Sequence, residues 1–112
     1  MSHWRKQQHR DPYFRQAKEA GYRARSVYKL LQIQEKFRVV RKGDVVVDLG
    51  AAPGSWSQAL VAMVGPRGRI IALDLQAIDP IPGVTCIQGD MTDPEVQAQV
   101  IEIACGRANV VL

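Results

Sequence analysis

The chain has 112 residues, enough for one small domain around one core. Hydrophobic residues make up 46% and charged residues 23%, an ordinary globular balance, and no apolar run approaches the roughly 20 residues that span a bilayer. The net charge of +4 is unevenly spread: residues 1–43 carry twelve Lys/Arg against three Asp/Glu, and residues 44–112 carry three against eight. A basic first third on an acidic body suits a polyanionic partner such as nucleic acid; the plainer alternative is a solvated basic arm.

The N-terminal "MSHWRKQQHR" has no apolar segment behind its basic residues, which excludes a secretory signal and leaves a transit peptide as the lesser alternative. Residues 1–10 read as a flexible basic arm and residues 11–112 as the folded unit. Asp11-Pro12 opens a short helix reaching Ala20, where Gly21 interrupts it. A second helix covers about Arg25 to Phe37. Val27, Leu30, Leu31 and Phe37 fall on its packing face, and Arg25, Lys29, Gln32 and Lys36 form a basic stripe opposite.

"RKGD" (41–44) is a turn, and "VVVDL" is a strand apolar enough to be buried on both faces. A glycine turn follows, then a helix from Ser55 to Val64. "RIIALDL" (69–75) is the second strand, "DPIPG" (79–83) a proline-stiffened loop, and "VTCIQGD" (84–90) the third strand and its exit. Asp93-Pro94 opens another helix, and "ANVVL" (108–112) begins a fourth strand. Cys86 falls in a strand and Cys105 in a helix, which reads as two buried free thiols in a cytosolic protein. His3 and His9 lie in the arm, and no metal-ligand spacing occurs.

Strands alternating with helices predict an α/β fold, a parallel sheet with helices on both faces joined by right-handed crossovers. The sheet ends at its fourth strand, whereas doubly wound sheets continue with further units. The expectation is therefore the N-terminal part of a longer protein, with a natural minimal domain as the lesser alternative.

The turn "DLGAAPGSW" (48–56) carries the chemistry. It lacks the lysine of a phosphate-binding loop, since Ser55-Trp56 follows Gly54. It lacks the second glycine of a dinucleotide loop, where Ala52 stands, and Pro53 removes an N–H donor. S-adenosylmethionine has no phosphate and fits better. Gly50, Ala51 and Ala52 admit close backbone approach, and the amides near Gly54 and Ser55 suit a carboxylate at a helix N-terminus. Asp74, ending the second strand, is positioned to accept ribose hydroxyls; Asp90, ending the third, to meet an adenine amino group. Taken singly, Asp48 is a turn-orienting acid, Asp74 is equally what an NAD site requires, and Asp90 is a loop acid; in order, they favour the methyl donor.

With "RARSVYKLLQI" (23–33), "ALDLQAIDPIPGV" (72–84) and "QGDMTD" (88–93), this turn resembles the FtsJ/RrmJ-type ribosomal RNA 2′-O-ribose methyltransferases from about Asp11 onward. Ser55 replaces a glycine common in that family. The resemblance implies a Rossmann-like methyltransferase fold truncated at its fourth strand, cytoplasmic and monomeric, using S-adenosylmethionine and no metal. The implied substrate is large-subunit ribosomal RNA, free or in the ribosomal subunit. The expected cofactor set is Gly50, Gly54, Ser55, Trp56, Asp74, Leu75, Asp90 and Met91. The resemblance makes Lys29 the first member of a Lys-Asp-Lys-Glu catalytic set whose other members lie beyond Leu112. Arg23, Arg25 and Lys36 then read as RNA phosphate contacts, with Arg38 and Lys42 as additions. Tyr22 or Tyr28 stacks on a base or packs in the core. A ribose hydroxyl must lose its proton as it attacks, and a lysine takes it only as the neutral amine, which requires desolvation or neighbouring cations. The rival readings are a non-catalytic RNA-binding module of the same fold, and the same chemistry on transfer RNA.

Overall fold

The computed structural model describes residues 17–112. The basic arm and most of the helix expected from Asp11 lie outside the described residues; 17–19 are helical, and the chain turns at Ala20-Gly21. Then follow α1 (Val27–Phe37), β1 (Val45–Leu49), α2 (Ser55–Val64), β2 (Arg69–Asp74), β3 (Val84–Gln88), α3 (Pro94–Ile103) and β4 (Val110–Val111). The four strands form one parallel sheet in the order β3-β2-β1-β4. This is the α/β architecture expected.

Strand side chains alternate between faces, so each strand feeds two cores. Val46 and Ile70 pack with Val27 and Leu30 of α1 and with Ala59, Leu60 and Val64 of α2. Val47, Ile71, Leu73 and Ile87 pack on the other face with Val96 and Val100 of α3 and the following Ala104. Burial on both sides is why β1 and β2 read as unbroken apolar runs. Helix ends follow local chemistry. The Asp93 carboxylate accepts from Glu95 N at 2.9 Å, and Pro94 takes the first helical position, where a missing N–H costs nothing. α1 ends at Arg38, left-handed at φ 49°, whose N–H donates to Gln34 O.

β1 leads to β2 and β3 on one side, while β4 lies on the other. The strand order therefore reverses between β1 and β4, and a crevice opens beyond the carboxyl ends of strands at such a point. One connection is unusual. Only residues 75–83 join the parallel strands β2 and β3, with no helix. Parallel strands commonly need a dozen or more residues to cross over. Here the buried Ile81 and half-buried Ile78 anchor the loop.

Three expectations are corrected. Phe37 is 65% exposed rather than packed. It is the last residue of α1, and its direction lies within about 20° of the fully buried Leu30, so it is exposed by its place at the helix end and not by facing away. The two thiols are free but not buried. Cys86 is in a strand as expected, yet β3 is the sheet edge and leaves it half-buried. Cys105 lies past the end of α3 at φ 54° and is exposed. The second strand also ends one residue sooner than expected, at Asp74, so Leu75 belongs to the loop.

Candidate functional site

The crevice between β1 and β4 holds a cavity of about 330 Å³ lined by the glycine turn from Asp48 to Pro53, by Ser55 and Trp56 of α2, by Ser26 and by Leu112. Two further hollows adjoin it. One, of about 230 Å³, shares Leu49 and Gly50 and adds Leu73, Asp74, Leu75, Gly89, Asp90 and Met91. The other, of about 390 Å³, shares Ser26 and adds Arg25, Tyr28, Lys29 and Gln32. The three hollows are neighbours through these shared residues and together outline a groove at the carboxyl edge of the sheet, from Asp74 at the end of β2 and Asp90 just past β3 to the basic side of α1.

Each acid is held by its own fold. Asp48 is buried in β1, and its Oδ2 accepts from the Ser57 hydroxyl at 2.7 Å. Burial pushes its carboxyl above the usual range; the Ser57 bond draws it partly back, and the charge of Asp74 adds to the rise. Asp74 accepts one backbone N–H on each oxygen, from Ala52 at 2.9 Å and from Gln76 at 2.8 Å. These bonds tie the glycine turn to the end of β2 and fix the carboxylate plane at the wall of the hollow. Asp90 Oδ1 accepts from both the N–H and the hydroxyl of Thr92, at 2.8 and 2.7 Å. Those two bonds, the backbone one first, hold its carboxyl below the ordinary value.

The start of α2 supplies donors. Gly54 caps it at φ 113° with no side-chain cap and no acid in the first turn, so the amides of Ser55, Trp56 and Ser57 have no intrahelical acceptor. Gly54 itself is buried behind the turn, and a Cβ there would lie 2.6 Å from Ile81 Cδ1. Trp56 joins two elements: its indole N–H donates to Ser26 O at 2.9 Å while the residue lines the main cavity. Ser26 and Ser55 bring their hydroxyls to 3.3 Å of each other.

The groove gathers Lys29, Arg25, Gly50, Ser55, Trp56, Asp74, Leu75, Asp90 and Met91 along one edge. Three residues of the expected set line none of the hollows: Gly54, buried behind the turn, Lys36 and Arg23. Lys36 is in the last turn of α1, its Nζ 5.3 Å from the centre of the Phe37 ring, outside all three hollows. The Arg23 guanidinium donates to three backbone carbonyls, those of Pro53, Asp79 and Pro80. Sequence reasoning passed over Ser26, the wall shared by two hollows, and the buried Ser57–Asp48 pair. Ser26 stands inside the quoted "RSVYK" stretch, but nothing in its spacing signals a threshold. Among the described residues, no group of His, Cys, Asp and Glu could hold a metal ion, and no helix is long and apolar enough to cross a membrane.

The site can seat an elongated ligand with a hydrogen-bonding nucleoside end near Asp74 and Asp90 and a charged end near Asp48 and the α2 amides. A second reactant can approach from α1. The sequence profile of the FtsJ-like methyltransferases matches residues 22–112. The chain is 52% identical over 107 residues to the ribosomal RNA large subunit methyltransferase E of Pseudomonas fluorescens, covering 96% of the chain and 51% of that relative. It is 48% identical over 111 residues to the protein of the same name from Methanothermobacter thermautotrophicus, covering 97% and 53%. A crystal structure from Plasmodium falciparum, described as a ribosomal RNA methyltransferase, superposes with a TM-score of 0.67 at 32% identity, covering 73% of this chain and 49% of that one. The chain spans about half the length of the curated relatives it matches.

Proposed function

The chain belongs to the FtsJ-like methyltransferase family, and from that membership we propose that it binds S-adenosylmethionine and serves in 2′-O-ribose methylation of large-subunit ribosomal RNA. The observation that carries this reading is the adjacency of the two hollows: one residue, Ser26, walls both the cavity at the glycine turn and the hollow that holds Lys29.

The residues fit the donor. Asp74 has a backbone partner on each oxygen, and the remaining lone pairs accept the two ribose hydroxyls. Asp90 has Oδ1 committed to Thr92, and Oδ2 accepts from the adenine amino group. Leu75 and Met91, both exposed, flank the base. The α2 amides receive the methionine carboxylate, and Asp48 offsets the adjacent ammonium. The absence of a phosphate-binding lysine suits a donor without phosphates. S-adenosylmethionine supplies a methyl group already activated on a sulfonium.

This chain's part in the reaction is orientation and proton transfer. Arg25, near the mouth of the groove, and Lys36, further along α1, draw the RNA backbone in. Lys29 Nζ would take the proton of the ribose 2′-hydroxyl as that oxygen bonds to the methyl carbon and the carbon–sulfur bond breaks, its electron pair staying on sulfur. Holding the two reactants in line converts their encounter into a step within one complex.

Two substitutions in the full-length protein test the division of labour. Asp74→Ala loses S-adenosylmethionine binding, read by calorimetry. Lys29→Ala keeps binding and loses methyl transfer to ribosomal RNA by about 10²–10⁴-fold, the usual weight of general acid–base help. Full activity in Lys29→Ala overturns the catalytic assignment. RNA binding without any donor binding would favour the non-catalytic reading.

A further inference from the structure

Arg23 was expected to contact RNA phosphate, yet its guanidinium is taken up by backbone carbonyls of its own chain. NH1 donates to Pro53 O at 2.9 Å and to Asp79 O at 2.7 Å, and NH2 donates to Pro80 O at 2.9 Å. The three acceptors belong to two separate loops, the glycine turn and the helix-free β2–β3 connection. The backbone beneath Arg23 is fixed as well. Its N–H donates to Gln58 Oε1 at 2.9 Å, and Gln58 Nε2 donates to Gly21 O at 3.1 Å. Arg23 is thus rooted on α2 and reaches across to both loops.

The arrangement has a consequence for the groove. C=O and N–H of a trans peptide point to opposite sides. Pinning Pro53 O to Arg23 therefore aims the Gly54 N–H away from the clamp and fixes the peptide that enters α2. On the clamp side the β2–β3 loop closes tightly on Gly54: a Cβ there would meet Ile81 Cδ1 at 2.6 Å, Arg23 NH1 at 3.3 Å and Ile78 Cγ2 at 3.5 Å. The loop has no crossover helix to hold it. The same loop starts at Leu75, which lines the hollow at Asp74.

We propose that Arg23 is a positioning residue of the donor site, a clamp that holds the glycine turn and the β2–β3 loop in register, and not a phosphate contact. The proposal rests on the reading that this groove binds S-adenosylmethionine. The rigid guanidinium fork reaches the three acceptors from two nitrogens, whereas a lysine carries the charge with its donors on a single nitrogen.

The test uses the full-length protein, S-adenosylhomocysteine as calorimetric probe, and ribosomal RNA binding measured over a range of salt. Arg23→Lys weakens the probe by about tenfold, because loosened supporting contacts misplace the groups that bind. It leaves RNA affinity and its salt slope unchanged. Ile81→Ala, which loosens the loop and leaves Arg23 intact, weakens the probe in the same direction. Arg23→Ala weakens it further, and thermal melts of all three variants establish that folded protein is being read. The clamp is overturned if Arg23→Lys and Ile81→Ala both bind the probe like the unsubstituted protein. It is equally overturned if Arg23→Ala loses RNA affinity and salt slope while its probe affinity holds. Failure of the unsubstituted protein to bind the probe overturns the donor-site reading itself, a result distinct from either of these.

Discussion

Asp48 combines a cost and a use. The carboxylate is buried against one hydroxyl, and its pKa is raised. On unfolding it returns to its ordinary value of 3.8. Between that pH and the raised native value the folded state holds more proton, so Asp48's contribution to stability falls as pH rises through the window. Asp48→Asn keeps an acceptor for Ser57 and removes the charge. Urea melts are expected to find it more stable than the unsubstituted protein at about pH 7, with the gain fading towards about pH 4. An equal difference at both values would contradict the assignment. The same substitution weakens donor binding, a trade of stability for function. Gly54 is the second position of this kind. Its φ of 113° and the 2.6 Å approach of Ile81 to a Cβ leave no room for alanine. Gly54→Ala should lower the melting temperature and reduce donor affinity together, because the strained position is the one that aims the α2 amides. The places of Asp74, at the end of β2, and of Asp90, just past β3, were legible in the sequence because apolar strand runs give way there to polar residues. The Ser57 partner of Asp48 was not, since a buried serine looks like any other in a helix.

The elements divide in the same way. α2 and β1 were legible because the apolar runs are long and the turn between them is rich in glycine. The amphipathic α1 showed its packing face through Val27 and Leu30, both fully buried. Phe37 misled because periodicity assumes that a helix has a neighbour along its whole length, and this one outruns its support. Cys105 misled because the left-handed stop after α3 depends on Gly106 as much as on helix pattern. The β2–β3 connection was read as a stiff loop, and so it is; that an arginine more than fifty residues earlier ties it down is a tertiary fact with no local signature. Leu60 of α2 is fully buried against the sheet. Leu60→Ala is expected to cost about 2–5 kcal/mol in chemical denaturation, the usual range for a core leucine. Arg38, a non-glycine residue in the left-handed region after α1, gives the opposite case. Arg38→Gly should gain about 1 kcal/mol by removing that strain. A loss of stability there would mean that the arginine side chain contributes more than its backbone costs.

At the scale of the molecule, charge and topology converge on one edge. The sheet reverses its strand order between β1 and β4, and the groove opens there. The basic first third of the chain places Arg25 and Lys29 at one end of that groove. The acids at the other end come from the body, which carries the negative charge. The architecture was legible from element order alone, because parallel sheets tolerate few topologies. The adjacency of the three hollows was not, because it depends on tertiary contacts such as those of Ser26 with Trp56 and Ser55 of α2. Lys36, outside the groove, is expected to act only through charge. Lys36→Ala should lower the salt slope of RNA binding by about one and weaken RNA affinity evenly across sequences. The central claim is that this groove brings a methyl donor and a ribose hydroxyl together. Its most direct test is to incubate the full-length protein with large-subunit ribosomal RNA and methyl-labelled S-adenosylmethionine, digest the RNA and identify the labelled nucleoside. The account predicts label on a ribose 2′-oxygen, lost in Lys29→Ala. Label on a base, or label that persists undiminished in Lys29→Ala, would contradict it.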